Sequence, residues 1–294
     1  MNVLVLGSTG MLGGMVFHYL KNHSSLNVIG TSRKDNNEYI KFDAMNGIDT
    51  LNLNLGEIDY IINCIGIIKP YCNDKNMSEV KKAININSLF PFELLNSGMK
   101  NEYNVIQIAT DCVFSGSEGD YTEESLHDPL DVYGKTKSLG EVLSGKFLNI
   151  RCSIIGPEKY NKVSLLEWYL SQNDNANLKG FTHHLWNGIT TLQFAELCEF
   201  IILNEEFDNL VNESNLYHFA PNNTVNKYEL LLLFKEVFNK NTKIEKYSSD
   251  QGKVYRTLST KYKSLNKLDM KSTLKIELLK LRNYIKDNNY YKTV

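Results

Sequence analysis

The sequence predicts an α/β fold: a doubly wound parallel sheet with a smaller, discontinuous C-terminal lobe. Short segments of strand length, residues 2–7, 58–66 and 105–109, are nearly continuous in apolar side chains, as strands covered on both faces are. Segments with helical periodicity lie between them, and this alternation is typical of parallel βαβ units. The alternation becomes irregular after residue 157, where the second lobe is predicted to begin.

The first strand leads into a glycine-rich turn. The sequence GSTGMLGG precedes the helical segment MVFHYLKNH and spaces its glycines three residues apart. Glycines here allow a tight turn and let backbone N–H groups approach a pyrophosphate at the positive end of the helix. The motif therefore predicts a Rossmann-type dinucleotide site at Gly7, Thr9, Gly10, Met11, Leu12 and Gly13.

The second strand, residues 26–30, is followed by two hydroxyls and two cations, Thr31, Ser32, Arg33 and Lys34. An NAD site usually has Asp or Glu here to bind the ribose 2′-OH, whereas a hydroxyl with two cations suits a 2′-phosphate. Ser32, Arg33 and Lys34 therefore predict NADPH as the cofactor. If the two cations are ordinary loop charges, NADH is the alternative.

The central stretch, residues 109–137, reads as a strand end, a loop and a helix. Thr110 and Asp111 stand where the strand at 105–109 meets the cleft, and Tyr133 and Lys137 follow with the i,i+4 spacing of one helix face. A neighbouring ammonium favours phenolate, so the tyrosine can exchange a proton below its free pKa of about 10. With the Thr110 hydroxyl on the same oxygen, these groups predict a proton relay for a carbonyl or an alcohol.

This order of glycine turn, hydroxyl and Tyr-x-x-x-Lys pair is the layout of the extended short-chain dehydrogenase/reductases. The segments ATDCVFSG and PLDVYGKTKSLGE resemble the dTDP-4-dehydrorhamnose reductase group, over the N-terminal half above all. The resemblance implies an NADPH-dependent reductase for the 4-keto group of a UDP- or dTDP-linked 6-deoxy-4-ketohexose. Such an enzyme serves deoxysugar or surface-polysaccharide precursor synthesis, with Thr110, Tyr133 and Lys137 as its relay.

The resemblance also implies further cofactor contacts. Asp43 and Ala44 end the third strand at the position that lies near the adenine in the family. The segment Cys64, Ile65 and Gly66 corresponds to the one that runs under the nicotinamide ribose. Asn87 matches the structural and relay asparagine, a role compatible with a polar residue satisfied in a helix kink before Pro91. Tyr133 and Lys137 are expected to contact the cofactor as well.

Cys112 departs from relatives that only reduce, which usually carry an aromatic residue there. In bifunctional epimerase/reductases such as GDP-fucose synthase, a cysteine at this place exchanges a proton at the carbon next to the ketone. A thiol with a pKa near 8.5 is suited to that exchange. The alternative interpretation is a small buried cysteine that fills space. Lys162, His183 and His184 are the candidates for the second acid.

The second lobe supplies most of the predicted substrate contacts. Trp186 is expected either to stack on a uracil or thymine ring or to belong to the core. Arg256 resembles the family's basic residue near the nucleotide diphosphate. His183 and His184 would alternate faces on a strand, so no metal site is predicted. The predicted substrate residues are Asp111, Cys112, Lys162, His184, Trp186 and Arg256.

The irregular C-terminal pattern predicts a division into two discontinuous units. Residues 1–158 with about 189–211 form the NADP-binding domain, and residues 159–188 with 212–294 form the substrate-binding lobe. The helix near 191–203 is expected to return to the first lobe.

The composition of the chain argues against several kinds of partner and site. A net charge of −2 argues against a nucleic-acid partner or an anionic membrane surface. Five cysteines without metal or redox spacing predict reduced thiols, and no apolar run approaches a membrane span. These features predict a cytoplasmic protein. The resemblance implies a nucleotide sugar as its partner, and homodimer formation stays open.

Two other functions remain open at this stage. One is a non-catalytic dinucleotide-binding regulatory subunit, as in the methionine adenosyltransferase beta subunit, which resembles the same family. The other is a sugar-nucleotide 4,6-dehydratase, although those enzymes usually follow the hydroxyl with an acidic pair and here the only acid of such a pair is Asp111. The intact Thr110, Tyr133 and Lys137 favour the reductase.

Overall fold

The computed structural model describes residues 1–35, 37–249, 252–265 and 271–291. Its strands, in chain order, are β1 (Asn2–Leu6), β2 (Asn27–Ser32), β3 (Ile40–Lys41), β4 (Tyr60–Asn63), β5 (Asn104–Thr110), β6 (Phe147–Cys152), β7 (Ile154–Ile155), β8 (Asn177–Phe181), β9 (His184–Trp186), β10 (Ile189–Thr190), β11 (Leu216–His218), β12 (Val225–Asn226), β13 (Lys243–Tyr247) and β14 (Val254–Tyr255). The α-helices are α1 (Met11–His23), α2 (Met77–Ala83), α3 (Phe90–Asn101), α4 (Val132–Leu139), α5 (Leu165–Leu170), α6 (Thr191–Leu203), α7 (Phe207–Glu213), α8 (Lys227–Phe238) and α9 (Leu274–Asp287).

The described residues form a main sheet of seven parallel strands in the order β3-β2-β1-β4-β5-β6-β11. The predicted doubly wound parallel sheet is therefore confirmed. The order reverses between β1 and β4, since the chain moves outward from β1 to β3 and then returns to the other side. A crevice opens at such a reversal, outside the carboxyl ends of the strands, and it is where ligands bind in this architecture.

Alternate side chains of the strands pack into cores on opposite faces of the sheet. Val3 and Val5 of β1 pack with α1 and α6, whereas Leu4 and Leu6 pack with α3. The strands β4 and β6 are buried along their whole length, and β6 buries Asn149 and Arg151 together with its apolar residues.

The second lobe is built from small sheets and helices. Strand β9 lies between β12, which is antiparallel to it, and β14, which is parallel. A separate pair joins β8 with β13, and α8 packs against both of its strands and against α5 and α9. Strands β7 and β10, which lie in the ranges predicted for the first domain, pair with each other. Helix α6 packs against α1 of the first lobe.

One strand in the range predicted for the second lobe belongs to the main sheet instead. Strand β11 is fully buried and forms the edge of the main sheet, where it pairs with β6 in parallel. A strand of three residues carries too little pattern to reveal its partner, so only the packing identifies it. The exact division into two lobes stays a prediction. Among the described helices, none has both the length and the apolar character needed to span a membrane.

Candidate active site

The glycine-rich turn after β1 has the geometry of an anion site. Gly7 has φ +81°, and a Cβ on Gly13 would lie 2.3 Å from the Gly7 carbonyl oxygen, so only glycine allows the helix to start this close to the strand. The N–H of Gly10 donates to the same oxygen at 2.9 Å. No side chain of the described residues caps the start of α1, and no acid lies in its first turn. The first amide groups of α1 are therefore free to bind a phosphate.

The end of β2 carries cations that are available to a ligand. The Ser32 hydroxyl accepts the Lys34 N–H at 3.1 Å, which shapes the turn. The side chains of Arg33 and Lys34 are exposed, and neither makes an ion pair or hydrogen bond with another described residue. Together with the open helix terminus, this donor set fits a dinucleotide that carries a 2′-phosphate. Nearby, the Asp43 carboxylate accepts the Met45 N–H at 3.0 Å.

Asn87 connects the loop after β4 to helix α4 through side-chain hydrogen bonds. Its side-chain oxygen accepts the Ile67 N–H at 2.8 Å, and its amide donates to the Ile67 carbonyl at 3.0 Å and to the Thr136 hydroxyl at 3.1 Å. Asn87 lies in a π-helical turn, Ile84–Leu89, which fits the predicted kink. Cys64 packs beside Gly13, 3.1 Å from the position of a Cβ there.

The end of β5 and the start of α4 approach closely. Asp111–Val113 form a 3-10 turn in which the Thr110 hydroxyl accepts the Cys112 N–H and donates to the Asp111 carboxylate, both at 3.2 Å. A Cβ on Gly134 would lie 2.3 Å from the Cys112 carbonyl oxygen, so α4 touches this turn. The structure thus brings Tyr133 and Lys137 to the turn that carries Thr110.

The electrostatics of the relay differ from the sequence-based expectation. Burial raises the pKa of the Tyr133 phenol above its ordinary value, the charge of Cys112 adds to that shift, and a hydrogen bond with Thr110 opposes it. Burial also lowers the pKa of Lys137 to about 8. The Lys137 ammonium donates to the Ile108 carbonyl at 2.8 Å. The expected lowering of the tyrosine pKa by Lys137 is therefore absent, because burial is the largest influence on the Tyr133 phenol and the Lys137 ammonium is bonded to a backbone carbonyl instead. A phenol that stays protonated is suited to act as an acid.

Arg256 lies at the 3-10 turn Asp111–Val113 and the residues that follow it. Its Nη1 is 3.7 Å from the Cys112 sulfur, and its Nε and Nη2 donate to the carbonyls of Phe114 and Ser115 at 3.0 and 3.2 Å. This guanidinium is thus committed to the turn after β5, and its assignment to a nucleotide diphosphate stays a prediction. Burial, followed by the charge of Asp111, raises the pKa of the Cys112 thiol to about 12, and Arg256 opposes the shift.

The remaining predicted substrate residues are spread over the second lobe. The Lys162 ammonium lies over the Tyr291 ring, 5.7 Å from its centroid. His184 stacks on Phe181, and its Nε2 donates to the Gly252 carbonyl at 2.9 Å. Trp186 is buried.

The expectation that His183 and His184 point to different sites is wrong. Their rings lie 4.6 Å apart and both contact Phe181. The reason is that His183 precedes β9 in a turn, so strand alternation does not apply to it. Across the described ranges, no group of three or more His, Cys, Asp or Glu residues could hold a metal ion, and all five cysteines are free.

Lys227 was not predicted for the site. Its ammonium lies 5.2 Å from the centroid of the Trp186 ring, and the charges of Asp111 and Cys112 act on it. The capping box of Asn226 and Glu229 marks Lys227 as the first residue of α8. That signal locates the helix start, but the pairing of β12 with β9 decides where the side chain lies.

Comparison with known proteins connects this site to a family. The family model described as RmlD substrate binding domain matches residues 1–291. A curated relative, methionine adenosyltransferase 2 subunit beta from Rattus norvegicus, is 25% identical over 253 residues, which cover 81% of this chain and 72% of the relative.

Solved structures share the fold at low identity. A dTDP-4-dehydrorhamnose reductase from Clostridium acetobutylicum superposes with a TM-score of 0.75 at 19% identity, covering 97% of this chain and 100% of that one. The enzyme of the same name from Bacillus anthracis, in complex with NADP, has a TM-score of 0.72 at 17% identity and covers 96% and 98%. At this identity the likeness establishes the fold alone.

Proposed function

This chain belongs to the RmlD substrate binding domain family, and from that premise we propose that it is an NADPH-dependent reductase of a nucleotide-linked 6-deoxy-4-ketohexose. The observation that carries the proposal is the convergence of Thr110, Tyr133 and Lys137 at the carboxyl end of β5, on the same edge of the parallel sheet as the open glycine turn after β1. The NADP complex of the Bacillus anthracis structure supports the choice of cofactor, as do the exposed side chains of Arg33 and Lys34.

Each relay residue has a separate task. NADPH, when bound, supplies the hydride for the C4 carbonyl. Tyr133, which burial keeps protonated, donates its proton to the C4 oxygen as the alkoxide forms. Thr110 hydrogen-bonds the same oxygen, and Lys137 returns a proton to the phenolate and holds the ribose.

We also propose an epimerisation step at C3 or C5 before reduction, with Cys112 as one of its two proton-exchanging groups. The sulfur lies at the same turn as Thr110, and Arg256 stands beside it. Cys112→Ser should then abolish inversion, because a serine hydroxyl is too weak an acid to replace the thiol. Product stereochemistry determined by NMR checks this: unchanged stereochemistry in the variant would leave Cys112 as a packing residue.

The deciding experiment is incubation with NADPH and a panel of UDP-, dTDP- and GDP-linked 4-keto-6-deoxyhexoses. Consumption of NADPH with one of them, followed at 340 nm, is the expected result; the wavelength is roughly the absorption maximum of the reduced nicotinamide. Binding of NADPH without turnover of any sugar would refute the reductase.

A second candidate follows from the curated relative, which is a subunit of a methionine adenosyltransferase. On that alternative the chain binds a dinucleotide and a catalytic subunit without reducing anything. Co-purification with a methionine adenosyltransferase, in the absence of NADPH turnover, would favour it.

A further inference from the structure

Lys227 is positioned at the candidate active site by the three-stranded sheet of the second lobe. Asn226 pairs with Leu185 across β12 and β9, and Tyr255 pairs with Leu185 from the other side, across β14 and β9. Lys227 and Arg256 each follow directly after these paired residues. The sheet therefore holds one cation on each side of β9. Of the two, Arg256 lies with its Nη1 3.7 Å from the Cys112 sulfur.

The ammonium of Lys227 has no polar partner in the described part of the chain. It makes neither an ion pair nor a hydrogen bond there, and its close contact is the face of Trp186 at 5.2 Å. Among the three candidates considered from the sequence, His183 accepts the Ser249 N–H at 3.3 Å, His184 donates to the Gly252 carbonyl, and Lys162 lies over the Tyr291 ring. Lys227 follows β12 in the sheet that brings Arg256 to the Cys112 sulfur, and the charges of Asp111 and Cys112 act on its ammonium.

We propose that Lys227 is the second proton-exchanging group of this site: its amine removes the proton from the carbon next to the ketone, and the Cys112 thiol delivers one to the opposite face. The inference rests on the proposed function, because it needs a bound 4-keto sugar.

The exchange is balanced and involves no oxidation. The C–H bond breaks, an N–H bond forms on Lys227, and the electron pair moves into an enolate. The S–H bond of Cys112 then breaks and a C–H bond forms on the other face. Lys227 is left as ammonium and Cys112 as thiolate, which the Arg256 guanidinium at 3.7 Å stabilises. Solvent returns a proton to the sulfur and takes one from the nitrogen before the next turnover.

The protonation states agree with these roles. Burial lowers the pKa of Lys227, which favours the neutral amine, although the charges of Asp111 and Cys112 oppose that shift. Burial raises the pKa of Cys112 to about 12, which favours the thiol.

The test measures deuterium uptake at C3 and C5 of dTDP-4-keto-6-deoxyglucose and its UDP analogue in D₂O, with NADP⁺ present so that no reduction follows. Lys227→Met should lower the rate of uptake by roughly 10²-fold or more. Lys227→Arg should lower it equally, because arginine keeps the positive charge but stays protonated at neutral pH. Cys112→Ser should keep uptake and lose inversion. Lys179→Met is the matched control, since that ammonium also lies 5.2 Å from a ring, that of Tyr247, and it should exchange like wild type.

Each outcome decides between the claims. Wild-type uptake in Lys227→Arg would overturn the inference, as would loss of uptake in Cys112→Ser with normal uptake in Lys227→Met. NADPH consumption by the wild type without any deuterium uptake would overturn the inference and leave the reductase standing. Uptake without NADPH consumption would overturn the reductase and leave the inference. Fluorescence of bound NADPH checks that each variant is folded.

Discussion

Replacing Gly134 with alanine separates the position of α4 from the chemistry of its side chains. The new Cβ would lie 2.3 Å from the Cys112 carbonyl oxygen and 2.7 Å from the Cβ of Pro129, whereas ordinary contact begins at 3.4 Å. Helix α4 must therefore move from the turn by about 1.1 Å, the difference between 3.4 and 2.3 Å. Misplacement by roughly 1 Å costs about 10²-fold in rate, so we expect kcat to fall on that scale.

The stability of Gly134→Ala should change much less than its activity. Overpacking costs roughly 1–3 kcal/mol, and the better helix propensity of alanine returns up to about 1 kcal/mol. The assay combines kcat for NADPH oxidation, with whichever 4-keto sugar is turned over, and urea unfolding of the same preparation. Gly56→Ala is the control, because its Cβ meets the Asn54 side chain at an ordinary 3.5 Å. A Gly134→Ala enzyme with wild-type kcat would refute the view that this contact sets the position of Tyr133.

Three further predictions test the relay, the cofactor and the buried core. Tyr133→Phe should reduce turnover by roughly 10²-fold or more with NADPH still bound, and near-normal turnover would contradict its role as the acid. Arg33→Ala with Lys34→Ala should raise KM for NADPH by about 10²-fold, because roughly 1.5 kcal/mol is lost from each charge-assisted bond, and should leave KM for NADH unchanged. An equal rise in KM for both cofactors would show that the two cations do not bind the 2′-phosphate. Burial lowers the pKa of His218 to about 4, so the folded state resists protonation that the unfolded chain accepts near 6.5. The free energy of unfolding should therefore fall as pH drops from 6.5 to 4, by up to about 3 kcal/mol from this residue, and His218→Gln should flatten that slope in urea titrations; an unchanged slope would contradict it.

The sequence by itself determined the sheet and much of the local geometry. The apolar runs of β1, β4 and β5, the glycine turn and the Tyr133–Lys137 spacing are local patterns, and local steric and hydrophobic rules act on them directly. Asn87 belongs to this group as well, since a polar residue one helical turn before Pro91 is compatible with a kinked helix, and the structure has a π-helical turn there.

Only the tertiary structure decided which distant groups meet. The pairing of β12 and β14 with β9 brings Lys227 to Trp186 and Arg256 to Cys112. Strands of two or three residues are too short for their sequence pattern to predict that register. The same holds for β11, which joins the main sheet rather than the second lobe. The direction of the pKa shift of Tyr133 also depended on packing. Desolvation of the phenol is set by every segment that covers it, and not by Lys137 alone.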